Sequence, residues 1–327
     1  MEESAVVKKG VVKDAFIALF LSTLMYELNL STFLFASPLM IYAIRHGKNR
    51  SLVLFLLQAI IVVAIELTTH LGVFSNSISL LALLFSLAIP LMLLASGAIW
   101  LYAEKHKLLV RILLSLLPVC VISVAFLIFY AVDVTLFEGL YDYYKNAFAS
   151  SLGELLGKML GDIDYEILFS LLASCFLSMV LPFLTVAVCA TSFIYETGLH
   201  SRESDWEDRV QSYEFPTDFV WTFIVSFALL LIFHFVSAVP LALMVVIMNL
   251  TGLFTVLYSI QGFTVVYARL RKRMMNLKSM TLFIVLFIIS LVVPGINFIV
   301  IFGLPLLGLL ESFFDLKKLG VRNEDHS

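Results

Sequence analysis

The chain alternates long apolar stretches with short polar segments. Ten apolar stretches stand out, at residues 15–28, 31–44, 51–69, 79–102, 108–131, 167–194, 219–239, 241–267, 280–293 and 297–314. A helix of about 20 apolar residues crosses a hydrocarbon core roughly 30 Å thick. Inside lipid, stretches of this length favour helices, because a helix satisfies its own backbone hydrogen bonds. The pattern therefore predicts an all-α membrane protein, a polytopic bundle of about ten transmembrane helices.

Composition supports the membrane class and narrows the choice of partners. Hydrophobic residues make up 61% of the 327 residues, and charged residues make up 14%. A soluble chain of this length cannot bury so large an apolar fraction, because much of its surface stays exposed. The apolar composition therefore leads us to expect membrane lipid as a partner. The formal net charge is only −3, so we expect no nucleic acid.

The basic residues are distributed unequally between the polar segments. If both termini are cytoplasmic, 19 of the 21 Lys and Arg residues lie inside, and only Lys145 and Lys158 lie outside. An excess of this kind is typical of cytoplasmic segments. We therefore predict that both termini are cytoplasmic and that residues 15–44 and 280–314 form two helical hairpins. The short spans leave open whether these hairpins cross the membrane completely.

The first long polar segment is external in this topology. It contains a predicted amphipathic helix at 134–161, in which apolar residues such as Leu140 and Tyr144 recur every three or four positions. The helix also carries a small-residue stripe made of Ala149, Gly153, Gly157 and Gly161. It is either an ordinary surface helix or a lid that packs over the outer face of the bundle.

The second polar segment, an acidic cytoplasmic loop at 195–218, divides the chain into two parts. A six-span half at 1–194 precedes the loop, and a four-span half at 219–327 follows it. Trp206 is unusual in such a polar setting. It is either an exposed anchor for a protein partner or a side chain that enters the bilayer interface. The loop is therefore a candidate binding site for a cytoplasmic protein.

Sequence motifs for soluble catalysis are missing. The chain contains no G-x-x-x-x-G-K-[ST], no H-E-x-x-H and no G-x-S-x-G. An ATPase would therefore have to be a separate chain. We expect no enzymatic activity, no cofactor and no bound metal.

Polar residues gather at the predicted outer ends of the first three spans. Glu66 lies roughly 24 Å from Arg50 along the third span, and His70 follows it on the same helix face. Glu27 and Asn29 lie in the turn of the first hairpin. We identify these four as candidate ligand-binding residues of an outward-facing pocket, because ionisable groups in spans tend to mark ligand pathways. The alternatives are interfacial side chains that reach water, or a proton relay.

Three further polar residues fall inside predicted spans. His234 lies deep in the seventh span, where a lone histidine is more often bonded to a neighbouring helix than catalytic. Asn249 and Gln261 lie in the eighth span and are expected to form hydrogen bonds between helices. The spans also contain four prolines that predict kinks or broken helices: Pro38, Pro90, Pro118 and Pro182.

Three stretches resemble the YybS family of bacterial membrane proteins. They are "LFASPLMIYAIRHGKNRSL" at 34–52, "FPTDFVWTFIVSFALLLI" at 215–232 and "VVPGINFIVIFGLPLLGLLESFFDLKK" at 292–318. The sharpest points are Pro38 with His46–Gly47, Pro216 with Trp221, and Gly308 with Asp315 and the lysines that follow. The family brings no established activity and no catalytic residues. Its fold is similar to that of the six-span S components of energy-coupling-factor vitamin transporters.

The resemblance implies a multi-pass protein of the bacterial cytoplasmic (inner) membrane whose half at 1–194 is S-component-like. Together with the polar residues at the outer ends, it leads us to expect a solute-binding or transport-associated protein with a small-molecule ligand. The alternative is a non-transporting scaffold. That scaffold would recruit partners through residues 195–218 and the basic segment at 269–278.

Overall fold

The structure is a computed structural model of the chain. It describes residues 2–28, 34–69, 77–132, 135, 138–148, 165–199, 205–235, 239–273, 278–292 and 296–317. Throughout these ranges the secondary structure is helical, and no strand is present among them. The predicted all-α class is therefore confirmed.

Twelve helices are visible in the described ranges. They are α1 (Glu2–Glu27), α2 (Ser37–His46), α3 (Lys48–Thr69), α4 (Ser77–Tyr102), α5 (Leu108–Val132), α6 (138–148), α7 (Tyr165–Leu199), α8 (Asp205–Gln211), α9 (Asp218–Phe235), α10 (Leu241–Arg273), α11 (Ser279–Val292) and α12 (Ile296–Phe314). A 3₁₀ turn at Ala103–Lys105 continues α4 towards α5.

Within the described part of the chain, five helices are long and apolar enough to cross a membrane. They cover Lys48–Thr69, Ser77–Lys105, Leu108–Ala125, Met179–Glu196 and Leu243–Arg273, and two shorter apolar helices cover Asp218–Phe233 and Val300–Phe314. Large apolar side chains on their outer surfaces are exposed, for example Val53, Leu56 and Ile60 on α3. These surfaces are compatible with contact with membrane lipid.

The second predicted span, at 31–44, is shorter than expected. Helix α2 has 10 residues, which is roughly 15 Å of helix and about half of a hydrocarbon core. Pro38 occupies the first turn of α2, where proline commonly begins a helix. The predicted kink at Pro38 inside a longer helix is therefore wrong. Gly47 ends the helix at a φ of 89°, and its N–H donates to the Ala43 carbonyl at 2.9 Å.

The other three prolines lie where the sequence placed them, inside long helices. Pro90 lies in α4, Pro118 in α5 and Pro182 in α7. An interior proline removes a backbone donor and displaces the carbonyl one turn earlier. A side chain of a neighbouring helix can satisfy a backbone group at such a point.

One buried apolar cluster joins helices from both halves of the chain. It contains Met40 of α2, Leu93 of α4, Leu116 of α5, Leu184 of α7 and Tyr258 of α10, each less than 5% exposed. The acidic segment at 195–218 therefore connects two parts that pack against one another.

The start of the predicted amphipathic helix packs on the protein. On α6, Leu140 is buried against Leu81 and Ala82 of α4, and the Tyr144 hydroxyl donates to the Ala82 carbonyl at 3.3 Å. The small-residue stripe at 149–161 lies outside the described residues. In the described part, the apolar face of α6 contacts α4.

Trp206 is a core residue, and both surface interpretations of it are wrong. The side chain is 3% exposed and packs with Val210, Phe263, Tyr267 and Leu282. Helix α8, which carries it, is therefore docked against α10 and α11. A polar segment of 24 residues gave no signal of this, because the packing depends on partners far along the chain.

Candidate functional site

The predicted outer site is built around Glu66 on α3. The Tyr26 hydroxyl of α1 donates a hydrogen bond to Glu66 Oε1. Tyr26 itself is buried, and Glu66 is half-buried. The tyrosine therefore holds the carboxylate in a fixed position between two apolar helices, and the charge-assisted bond is of the stronger kind.

A second polar contact lies deeper between the same two helices. The Thr23 hydroxyl of α1 and the side chain of Gln58 of α3 are 3.3 Å apart, and Gln58 is 0% exposed. Polar side chains inside lipid are tolerated when they face other helices and find hydrogen bonds there. The α1–α3 interface thus carries two polar levels, Thr23–Gln58 and Tyr26–Glu66.

The remaining predicted members of this site have different outcomes. Glu27 is the last residue of α1 and is exposed. Asn29 and His70 lie outside the described residues. Sequence reasoning missed Tyr26, because its approach to Glu66 follows from how α1 packs on α3, and helix periodicity relates only neighbours within one helix.

A buried ion pair lies at the opposite end of the bundle, and it was not predicted. Arg111 Nη1 of α5 is 2.6 Å from Glu196 Oε1 of α7, with the two side chains 1% and 0% exposed. Trp100 Nε1 of α4 donates to the same carboxylate oxygen at 3.0 Å. Arg111 Nε donates to the Trp100 carbonyl at 3.0 Å, and its guanidinium lies 4.2 Å from the indole centroid.

The sequence placed Arg111 with the cytoplasmic cations and Glu196 at the start of the acidic loop. Both side chains instead lie inside the bundle, where together with Trp100 they join three helices. The available signal is positional: each charge lies within a few residues of the end of an apolar stretch, and the two have opposite sign.

Two further charged contacts surround this pair. Lys48 at the start of α3 contacts the carboxylate of Glu104, and Arg209 of α8 donates to the Glu104 carbonyl at 3.1 Å. They connect α3, the 3₁₀ turn and α8 around the buried pair. Lys48 and Arg209 thus hold separate segments of the protein together through Glu104.

Asn249 and Gln261 on α10 form hydrogen bonds to other segments. Asn249 Oδ1 accepts the Leu181 N–H of α7 at 2.9 Å, one residue before Pro182. Gln261 Oε1 accepts the Phe215 N–H at 3.0 Å, and its Nε2 donates to Ser312 of α12 at 3.3 Å. His234 belongs to α9, and its side chain lies outside what the structure describes.

A charged cleft of about 490 Å³ lies where α8, α10 and α12 end. Seven of its nine lining residues are acidic or basic, and the full lining is Asp208, Gln211, Glu214, Ala268, Arg271, Lys272, Glu311, Asp315 and Lys317. Across the part of the chain that the structure describes, no group of three or more His, Cys, Asp or Glu side chains is arranged to hold a metal ion.

Lys317 and Glu311 form the inner wall of the charged cleft. Lys317 Nζ donates to the Tyr213 carbonyl at 2.6 Å, and the Lys317 N–H donates to Glu311 Oε2 at 3.1 Å. Burial lowers the pKa of the Lys317 ammonium, while Glu311 and Glu214 act in the opposite direction. Glu311 is 6% exposed, so we assign both groups a role in stabilising the fold.

The outer wall carries more accessible charges. Lys272, Glu214 and Asp315 are exposed, and Arg271 is half-buried. Arg271 Nη1 donates to Asp208 Oδ1 at 3.2 Å, and Lys272 Nζ donates to the Lys317 carbonyl at 3.2 Å. Exposed pairs of this kind are weak and exchange readily with other partners.

Comparison with known proteins gave no relative. No protein-family model matches the sequence, and neither a curated protein nor a solved structure is significantly similar to it.

Proposed function

We propose that the protein binds a small solute at the outer ends of α1 and α3, as a solute-binding or transport-associated protein of a bacterial cytoplasmic membrane. The observation that carries this proposal is the Tyr26–Glu66 hydrogen bond. A carboxylate is kept within an otherwise apolar stretch and held by a neighbouring helix, and intramembrane ionisable groups of this kind are most often functional.

The position of Glu66 supports an outward orientation. It lies 18 residues after Lys48, roughly 27 Å along α3, and Lys48 is part of the basic cluster that marks the cytoplasmic side. Glu66 is half-buried and accepts from Tyr26, so its side chain is positioned by the fold without being fully enclosed. A solute with a cationic or hydrogen-bonding group would bind to this carboxyl group.

The proposal includes about ten spans with both termini cytoplasmic and the hairpins at 15–44 and 280–314. The unequal distribution of Lys and Arg supports it. Reporter fusions after residues 48, 106, 206 and 275 are expected to be cytoplasmic, and fusions near 74 and 145 are expected to be external. An external reporter at residue 275 would overturn this topology.

The resemblance to the YybS family and to S components is part of the same proposal. In that arrangement residues 1–194 form the solute-binding half, and α1 and α3, with Tyr26 and Glu66, belong to it. In the scaffold alternative, Trp206 would be an exposed anchor for a protein partner, whereas its side chain is 3% exposed. We therefore do not propose it as a second function.

Glu66→Gln tests the solute site in the full-length protein. The amide keeps the shape and can still accept from Tyr26, so the melting temperature in detergent is expected to stay within about 2 °C, as for a change below 1 kcal/mol. Native mass spectrometry is expected to show a small molecule bound to the wild type and at least a roughly tenfold lower occupancy in the variant.

Glu138→Gln is the matched control, because Glu138 is an exposed glutamate on α6, on the same predicted side. It should leave both the melting temperature and the bound mass unchanged. Equal ligand occupancy in wild type and Glu66→Gln would overturn the solute site. A large drop in melting temperature without any change in bound mass would instead assign Glu66 a structural role.

A further inference from the structure

The charged cleft lies at the ends of two apolar helices. The apolar part of α10 ends at Arg273, and the apolar part of α12 ends at Phe314. The cleft-lining residues 268–272 and 311–317 are at these helix ends. Phe313 and Phe314, next to Asp315, are more than half exposed. Where the helices leave the hydrocarbon core, lipid head groups are the adjacent phase.

The charges of the cleft fit a ligand that carries both signs. Arg271 and Lys272 on α10 offer donors to an anion, and a guanidinium beside an ammonium is a common phosphate-binding arrangement. Glu214 and Asp315, which are exposed carboxylates of the same cleft, offer acceptors to an ammonium group. A purely anionic ligand would meet the carboxylates unfavourably.

The backbone at Asp315 adds a second observation. Its φ is 49°, which is the left-handed region, and its N–H donates to the Glu311 carbonyl at 3.2 Å. A non-glycine residue in this conformation is uncommon, and Asp and Asn tolerate it best. The turn ends α12 and brings Asp315 and Lys317 to the same cleft as α10.

We propose that the charged cleft binds one aminoalkyl phosphate group, supplied by the head group of a phosphatidylethanolamine molecule in the adjacent leaflet. The phosphate lies against Arg271 and Lys272, and the ammonium donates to Asp315 and Glu214. The volume of about 490 Å³ is within the range of small-molecule sites, and the exposed Phe313 and Phe314 contact the acyl chains.

Native mass spectrometry of the full-length protein in detergent tests the proposal by titration with three dioleoyl lipids. Phosphatidylethanolamine is expected to bind at one molecule per protein. It should bind about tenfold more tightly than phosphatidylcholine, whose quaternary ammonium cannot donate hydrogen bonds. Phosphatidylglycerol lacks the amine and is expected to bind more weakly than phosphatidylethanolamine.

Two substitutions separate the two halves of the ligand. Lys272→Gln is expected to weaken phosphatidylethanolamine and phosphatidylglycerol alike, because both contain the phosphate. Asp315→Asn is compatible with the left-handed backbone and is expected to weaken only phosphatidylethanolamine, by about fivefold or more. If Asp315→Asn lowers the melting temperature, Glu214→Gln provides the same test at an exposed position. Lys278→Gln, an exposed lysine outside the cleft, is the matched control.

Free O-phosphoethanolamine distinguishes a lipid from a soluble source of the same group. Failure to compete at millimolar concentration supports the lipid, and competition at the concentrations effective for the lipid supports the same chemistry in a soluble ligand. Phosphatidylglycerol bound as tightly as phosphatidylethanolamine, with no effect of Asp315→Asn or Glu214→Gln, would overturn the proposal. Binding would then be the ordinary attraction of anionic lipid to a basic segment.

Discussion

Replacing Arg111 by alanine is expected to lower the free energy of unfolding by about 3–5 kcal/mol. The substitution removes the cation 2.6 Å from a carboxylate that is 0% exposed. It also removes the guanidinium that packs on Trp100. A buried charge whose counter-ion is lost has neither water nor an opposite charge to replace it, which is why the expected loss is large. Thermal or chemical unfolding in detergent measures the effect.

The double variant Arg111→Met with Glu196→Leu removes both charges. Exchange of a buried ion pair for apolar side chains of similar volume is often neutral or stabilising, so the loss is expected to be clearly smaller than in Arg111→Ala. The remaining loss includes the acceptor that Trp100 Nε1 no longer has. Arg271→Ala is the matched control, because its partner Asp208 is 67% exposed and the pair is expected to contribute less than about 1 kcal/mol. Equal destabilisation by Arg111→Ala and Arg271→Ala would contradict the interpretation.

Apolar periodicity predicts that helices exist in this chain, but it does not predict how they pack. On α3, the buried residues Leu54 and Val62 and the exposed residues Val53, Leu56 and Ile60 are chemically alike. In a soluble helix the polar face identifies the outside, whereas lipid is as apolar as a protein core. The all-α class was therefore predictable, and the inward face of each helix was not.

The candidate site shows the same division between local and long-range information. Glu66 was recognised because a charge in an apolar stretch is visible locally. Its partner Tyr26 is 40 positions away, and Glu196 is 85 positions from Arg111, so neither contact leaves a periodic signal. At α2 the local signals were present but were interpreted differently: Pro38 and Gly47 stand at the two ends of a helix shorter than a span, whereas Pro38 was expected to kink a longer helix.

The crossing of α10 and α12 is expected to tolerate no side chain at its closest point. A Cβ on Gly262 would lie 1.9 Å from the Leu304 carbonyl oxygen, and a Cβ on Gly308 would lie 1.9 Å from that of Tyr258. Both obstacles are backbone atoms, so no change of rotamer relieves the clash. Small residues at membrane helix crossings permit this close approach. Gly262→Ala is expected to destabilise the protein by about 3 kcal/mol, near the upper end of overpacking costs.

The same substitution is expected to disturb a neighbouring hydrogen bond. Gln261 Nε2 and Ser312 Oγ are 3.3 Å apart across this crossing, and a shift of roughly 1 Å to accommodate the methyl group would exceed normal hydrogen-bond range. Gly308→Ala should have a similar effect. The two substitutions together should cost less than the sum of the single effects, because one displacement relieves both clashes. Unfolding in detergent measures all three variants.

Gly10→Ala is the matched control for the crossing. Gly10 is an exposed residue inside α1, and a Cβ there would meet nothing within 4 Å. In a helix interior the change is expected to stabilise by up to about 1 kcal/mol, because alanine has the higher helix propensity. The two Gly→Ala changes should therefore have opposite signs. If Gly262→Ala proved as stabilising as Gly10→Ala, α10 and α12 would not be in close contact at this point.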